Sequence, residues 1–145
     1  MKRKMYLLLA IVFVAIQFVP VDLNESETFS KDDFIAVTNP PDHIAIMLKT
    51  SCYDCHSNYT KYPWYDKIAP VSWWVEDHVD HGKEELNFSE WATYSAKKKS
   101  KKLEEIIEET EEGEMPLNSY LWMHGDAKLT DGQVEELKEW VNSIK

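Results

Sequence analysis

From Met5 to Val19 the chain is apolar at every position except Gln17, and the basic residues Lys2, Arg3 and Lys4 stand in front of that run. Nothing in the stretch is amphipathic. Residues 22–33 are then polar, rich in Asp, Asn, Glu, Ser and Thr, without periodicity, which predicts a flexible tether. A folded domain is expected over residues 34–145. Within it the apolar positions recur at helical spacing. Asn39-Pro40-Pro41-Asp42 is a helix start, because proline is tolerated in a first turn and an acid favours the positive end of the dipole. Ile44, Met47 and Leu48 form one face of that helix, which runs into Cys52. After a turn at Tyr62-Pro63, the stretch from Val71 to Leu86 puts Val71, Trp74, Val75 and His78 on one stripe.

Further along, Asn87-Phe88-Ser89-Glu90 resembles a capping box and predicts a short helix carrying Trp91 and Tyr94. The basic run Lys97–Lys102 reads as a solvated helix face. Leu103, Ile106, Ile107 and Thr110 continue at helical spacing, with Gly113 as the C-cap. Thr130-Asp131-Gly132-Gln133 is a capping box for a last helix whose apolar face is Val134, Leu137, Trp140, Val141 and Ile144. No strand-like alternation competes, so the fold class is all-α.

The N-terminal pattern of basic residues and then an apolar run is that of an export signal. The segment from Tyr6 to Val19 spans about 21 Å as a helix, against about 30 Å of hydrocarbon. Extended over residues 5–21 it reaches 17 residues, the lower limit for spanning. No small-x-small cleavage site follows. Residues 1–21 are therefore expected to be a signal anchor or a signal peptide, with the basic triplet left in the cytoplasm. The domain would then lie in the periplasm or elsewhere outside the cytoplasm, anchored to the inner membrane by residues 5–21.

Composition narrows the partners. The 145 residues hold 26 acidic and 16 basic side chains, a formal net charge of −10. Removing the basic triplet leaves 13 basic residues against 26 acidic, so the remainder carries −13. That balance excludes nucleic acid, which demands a basic face. Six Trp, seven Tyr and five Phe point to a packed core rather than disorder. Two cysteines are too few for a disulfide scaffold.

Both cysteines lie in Cys52-Tyr53-Asp54-Cys55-His56, the C-x-x-C-H pattern of c-type haem attachment. Two thiols three positions apart reach the two vinyl groups on one porphyrin edge, and His56 presents an imidazole to the iron. Other readings of the pair are a structural disulfide, a thioredoxin-like redox pair without the necessary βαβ context, and a zinc site completed by His78 and His81. Met115, in the loop Gly113-Glu114-Met115-Pro116, is the expected distal iron ligand, with His124 and His78 as alternatives. His43 and His81 read as surface residues. The aromatic residues near the motif (Tyr59, Tyr62, Trp64, Tyr65, Trp73 and Trp74) are candidates to wall a macrocycle.

These residues also resemble a family. Cys52 to Asn58 with Thr60, Tyr62-Pro63-Trp64-Tyr65, Pro70-Val71-Ser72-Trp73-Trp74, His78-Val79 and Gly82 are similar to the bacterial haem-binding-domain family of cytochrome c-like proteins. So are Leu86-Asn87-Phe88-Ser89-Glu90-Trp91 and Gly113-Glu114-Met115-Pro116 with Tyr120 and His124. The resemblance covers roughly residues 34–145. It implies one haem c attached through Cys52 and Cys55, with His56 as the proximal ligand, in a small cytochrome c-like helical domain wrapped around the cofactor. The expected activity is single-electron transfer outside the cytoplasm, to a redox partner protein with a basic docking patch. The alternative is a haem-based peroxide or gas sensor, or an enzyme, with an open distal site; a non-enzymatic carrier is the expectation.

Overall fold

The computed structural model describes residues 2–24 and 30–145. Among them there is no strand, and the all-α expectation holds. The elements are α1 (Lys2–Ile16), α2 (Phe34–Thr38), α3 (Asp42–Ser51), α4 (Tyr53–His56), α5 (Val71–Glu85), α6 (Ala96–Glu111), α7 (Asn118–Leu121) and α8 (Asp131–Ser143). Three 3-10 turns, Trp64–Lys67, Phe88–Thr93 and Gly125–Ala127, join them.

The core gathers around Phe34, which is fully buried. Its ring stacks on Phe88 at 5.0 Å and meets the edges of Trp91 at 4.6 Å and Trp140 at 5.6 Å. Ile44, Met47 and Leu48 of α3, Leu103, Ile106 and Ile107 of α6, and Leu137 and Val141 of α8 close around it. These are the apolar positions that helical periodicity selects. The capping box of α8 is present, with Thr130 Oγ1 accepting from Gln133 N and Gln133 Oε1 accepting from Thr130 N. Gly113, at φ +74°, ends α6 and turns the chain so that Glu114 N and Met115 N both donate to Glu109 O.

Several expectations change. α1 has 15 residues and ends at Ile16, and no helix among the described residues is long and apolar enough to cross a membrane. The anchor expected over residues 5–21 is corrected accordingly: hydrogen-bonded turns at Gln17–Val19, and then Pro20, interrupt the helix. Residues 22–24 do not behave as a tether. Asp22 N donates to Glu76 Oε1, Asn24 donates to Tyr62, Ser57 and Thr60, and Lys83 Nζ donates to Asn24 Oδ1. The rest of the expected tether, residues 25–29, lies outside the described residues. Packing starts before Phe34, because Asp33 is itself buried and its Oδ1 caps α2.

Two smaller differences concern helix faces. Asn87 caps a 3-10 turn through Ser89 N, and Tyr94 falls just after it. Lys102 leaves the solvated basic face: it is buried and pairs with Glu105 at 2.6 Å and Glu85 at 3.3 Å, tying α6 to the end of α5.

Candidate haem site

The C-x-x-C-H residues form one short helical turn at the end of α3. Cys52 O accepts from Cys55 N and His56 N, which closes that turn. The following residues are fastened behind it. Ser57 Oγ donates to Tyr53 O and accepts from Tyr59 N, Asn58 N donates to Ser89 Oγ, and Asn87 Nδ2 donates to Asn58 Oδ1. The polar residues of this stretch thus satisfy one another and fix its orientation.

α5 supplies the next wall. His56 Nδ1 lies 2.8 Å from Gly82 O and 3.1 Å from Leu86 O. Two carbonyls can only accept, so Nδ1 carries the hydrogen and Nε2 keeps its lone pair for a metal. Burial lowers the His56 pKa, which favours the neutral ring that ligation requires. The close approach depends on Gly82, where a Cβ would sit 2.8 Å from Cys55 O. Both thiols are pushed up, first of all by burial: Cys52 to about 12 and Cys55 to about 11. A redox-active C-x-x-C needs the opposite shift.

The structure brings Cys52, Cys55, His56 and Met115 to one cavity of about 320 Å³, with His78, Gly82, Pro116 and Tyr120 also on its walls. Cys52, His56 and Met115 reappear on the wall of an adjoining hollow of about 410 Å³, which Lys102 also lines. A cleft of this size, walled by apolar groups with a few convergent polar ones, is that of a cofactor site. Three features make the residues fit a haem: the paired thiols, the oriented imidazole, and a thioether sulfur within the same cavity. No cluster of three or more His, Cys, Asp or Glu that could hold a metal ion occurs among the described residues.

The other candidates are placed differently. His78 lines the same cavity, but from α5, the helix whose carbonyls hold His56; its Nδ1 donates to Trp74 O at 2.8 Å. His124 lines a separate lateral cavity of about 510 Å³ that lacks Cys52, His56 and Met115. There its ring stacks on Tyr120 at 4.0 Å, and its Nε2 lies 3.4 Å from Tyr65 Oη. His43 is exposed, and His81, also exposed, lines the same cavity as His56. Of the aromatic residues, Trp64, Tyr65 and Trp74 line the lateral cavity, whereas Tyr59 and Tyr62 hold the incoming N-terminal segment. The stripe Val71, Trp74, Val75 and His78 faces the lateral cavity together with the buried Val79, while α5 buries Ser72 in the body of the fold.

Periodicity did not single out Gly82, the Leu86 carbonyl, Tyr120 or Asp66. Tyr120 Oη donates to Asp54 Oδ2 at 2.8 Å, joining α7 to the C-x-x-C-H turn. Asp66, in a 3-10 turn, is buried with Oδ1 lacking a partner. A backbone carbonyl has no sequence signal at all, and an acid in a Tyr-Asp-Lys string looks like surface.

A family model described as haem-binding domain matches residues 11–143. No curated protein and no solved structure matches the chain.

Proposed function

The chain belongs to the haem-binding domain family, and from that premise we propose that it is a monohaem c-type electron carrier working outside the cytoplasm. The observation that carries this reading is the single cavity shared by Cys52, Cys55, His56 and Met115. Cys52 and Cys55 attach the vinyl groups as thioethers. His56, held through Nδ1, offers Nε2 to the iron, and Met115 offers its sulfur from the loop after α6. Bound there, haem supplies a one-electron couple, and a His/Met pair raises its potential and closes the iron to exogenous ligands. Met115 is preferred to His78 because His78 shares a helix with the carbonyls that fix His56. It is preferred to His124 because that ring lies outside the cavity that holds His56.

The export pattern of Lys2, Arg3 and Lys4 before the apolar α1 suits a compartment in which haem is attached to C-x-x-C-H. The acidic surface, deepened by two haem propionates, suits a redox partner with a basic docking patch. The open-site alternative, a peroxide or gas sensor or enzyme, has no comparable support, because Met115 stands in the cavity.

Expression with a haem-maturation system tests the reading. A pyridine haemochrome assay should give one haem c per chain, and the Cys52→Ala/Cys55→Ala variant should be colourless. The oxidised protein should show methionine–iron charge-transfer absorption that disappears in Met115→Ala. Ready binding of carbon monoxide by the reduced, unmutated protein would instead favour the open distal site.

A further inference from the structure

We propose that the lateral cavity binds a small aromatic diol of the hydroquinone class, with one hydroxyl donating to the unpartnered Asp66 Oδ1. The cavity, about 510 Å³, shares Cys55, His78, Leu117 and Tyr120 with the haem site but not the iron-facing residues. Its walls are flat and apolar. Trp64 is 71% and Trp122 81% exposed, and Trp74 stands on the α5 side of the same space. Exposed indoles around a concavity are surfaces for stacking a ring.

The polar groups in the cavity define the ligand further, because the buried one left without a partner is an acceptor. Asp66 is only 4% exposed, and its Oδ1 has no hydrogen-bond partner. A buried oxygen without a donor is costly, and a ligand hydroxyl relieves that cost. Asp54 is satisfied by Tyr120 Oη and Lys61 N. His124 donates through Nδ1 to Tyr120 O, which leaves Nε2 as an acceptor whose only partner is the long 3.4 Å contact with Tyr65 Oη. Two acceptors beneath aromatic walls match a planar ligand carrying two donors. Burial raises the Asp66 carboxyl to about 6, which makes its ionised form a stronger proton acceptor than an exposed carboxylate.

The position also suits the proposed electron carrier, and the destination of the electron (though not the binding) rests on that reading. Cys55 lies on both cavities, so a ring seated here abuts the thioether edge. In a first one-electron oxidation of the diol, the Asp66 carboxylate would take the proton of the ring oxygen, and a haem held by Cys52, Cys55 and His56 would supply the one-electron acceptor.

The test is titration calorimetry of 1,4-hydroquinone into the reduced, haem-loaded full chain, where no net electron transfer occurs. Saturable binding is expected, weakened about tenfold by Asp66→Asn and comparably by Trp122→Ala, with haem content unchanged. Trp122 is too exposed for its loss to unfold the chain, so it guards against a misfolded Asp66→Asn. Absence of saturable binding, or equal affinity in both variants, overturns the proposal. Displacement of hydroquinone by tetramethylammonium at similar concentration also overturns it, by making the cavity a cation site. The pyridine haemochrome of the same sample reports separately on the haem reading.

Discussion

Gly82 is where a single side chain decides whether the site can close. Within a helix such as α5, replacing glycine by alanine would ordinarily gain up to about 1 kcal/mol of helix propensity. Here the new Cβ would meet Cys55 O at 2.8 Å, a backbone atom that cannot swing away. Overpacking of that kind costs about 1–3 kcal/mol, so the steric effect wins. Gly82→Ala is expected to lower the melting temperature and to reduce haem incorporation, both measurable on one preparation.

Asp66 makes a second prediction at this scale. Its carboxyl rises from 3.8 to about 6, chiefly through burial. A carboxyl that titrates higher in the fold than in the unfolded chain holds its proton more tightly when folded. Its contribution is therefore present below about pH 4 and is lost as pH rises through about 6. Asp33 is raised for the same reason and adds a slope of the same sign. The Asp66→Asn variant should thus gain stability relative to the native protein as pH rises from 4 to 7. Denaturant melts at several pH values check this, and a constant difference between the two proteins would count against it.

At the scale of elements, the helices owe their limits to local chemistry and their arrangement to packing. α8 is the clearest case: its capping box is complete, and Leu137 and Val141 seal the core. Thr130→Ala removes an acceptor for the first turn and should cost about 1 kcal/mol, a fall of a few degrees in melting temperature. Because Thr130 lies far from the C-x-x-C-H turn in sequence and lines neither cavity that Cys55 borders, the visible spectrum should not change. α5 shows the opposite case. Its apolar stripe was evident in the sequence, but periodicity says only that Val71, Trp74, Val75 and His78 share a face. Contacts alone show that this face, together with Val79, lines the lateral cavity, while Gly82 meets the backbone of Cys55. Lys102 likewise sat within a basic run, and only packing shows it buried, paired with Glu105 of its own helix and Glu85 of α5.

For the molecule as a whole, charge sets the approach of partners. At −10, its field favours cationic reactants and is screened within about 10 Å at 0.1 M salt. Reduction of the haem-loaded protein by hexaammineruthenium(II) should slow as ionic strength rises, while oxidation by ferricyanide should accelerate. Stopped-flow rates over a salt series measure both, and parallel trends would exclude control by net charge.

Local pattern was enough for much of this protein. The all-α class, the ends of α3, the start of α8, the core faces and the C-x-x-C-H motif follow from side-chain type at short range, where spacing and capping act within a turn or two. Met115, a methionine after a helix-ending glycine, is also a local feature, and packing places it in the cavity of Cys52, Cys55 and His56. Other properties depend on groups far apart in the chain that approach only when the helices pack. The grip of the Gly82 and Leu86 carbonyls on His56, the burial of Asp66, the docking of residues 22–24 and the cavity beside Cys55 are all of that kind. Backbone carbonyls are the same in every residue, and burial is a property of neighbours, so neither leaves a mark on the order of amino acids.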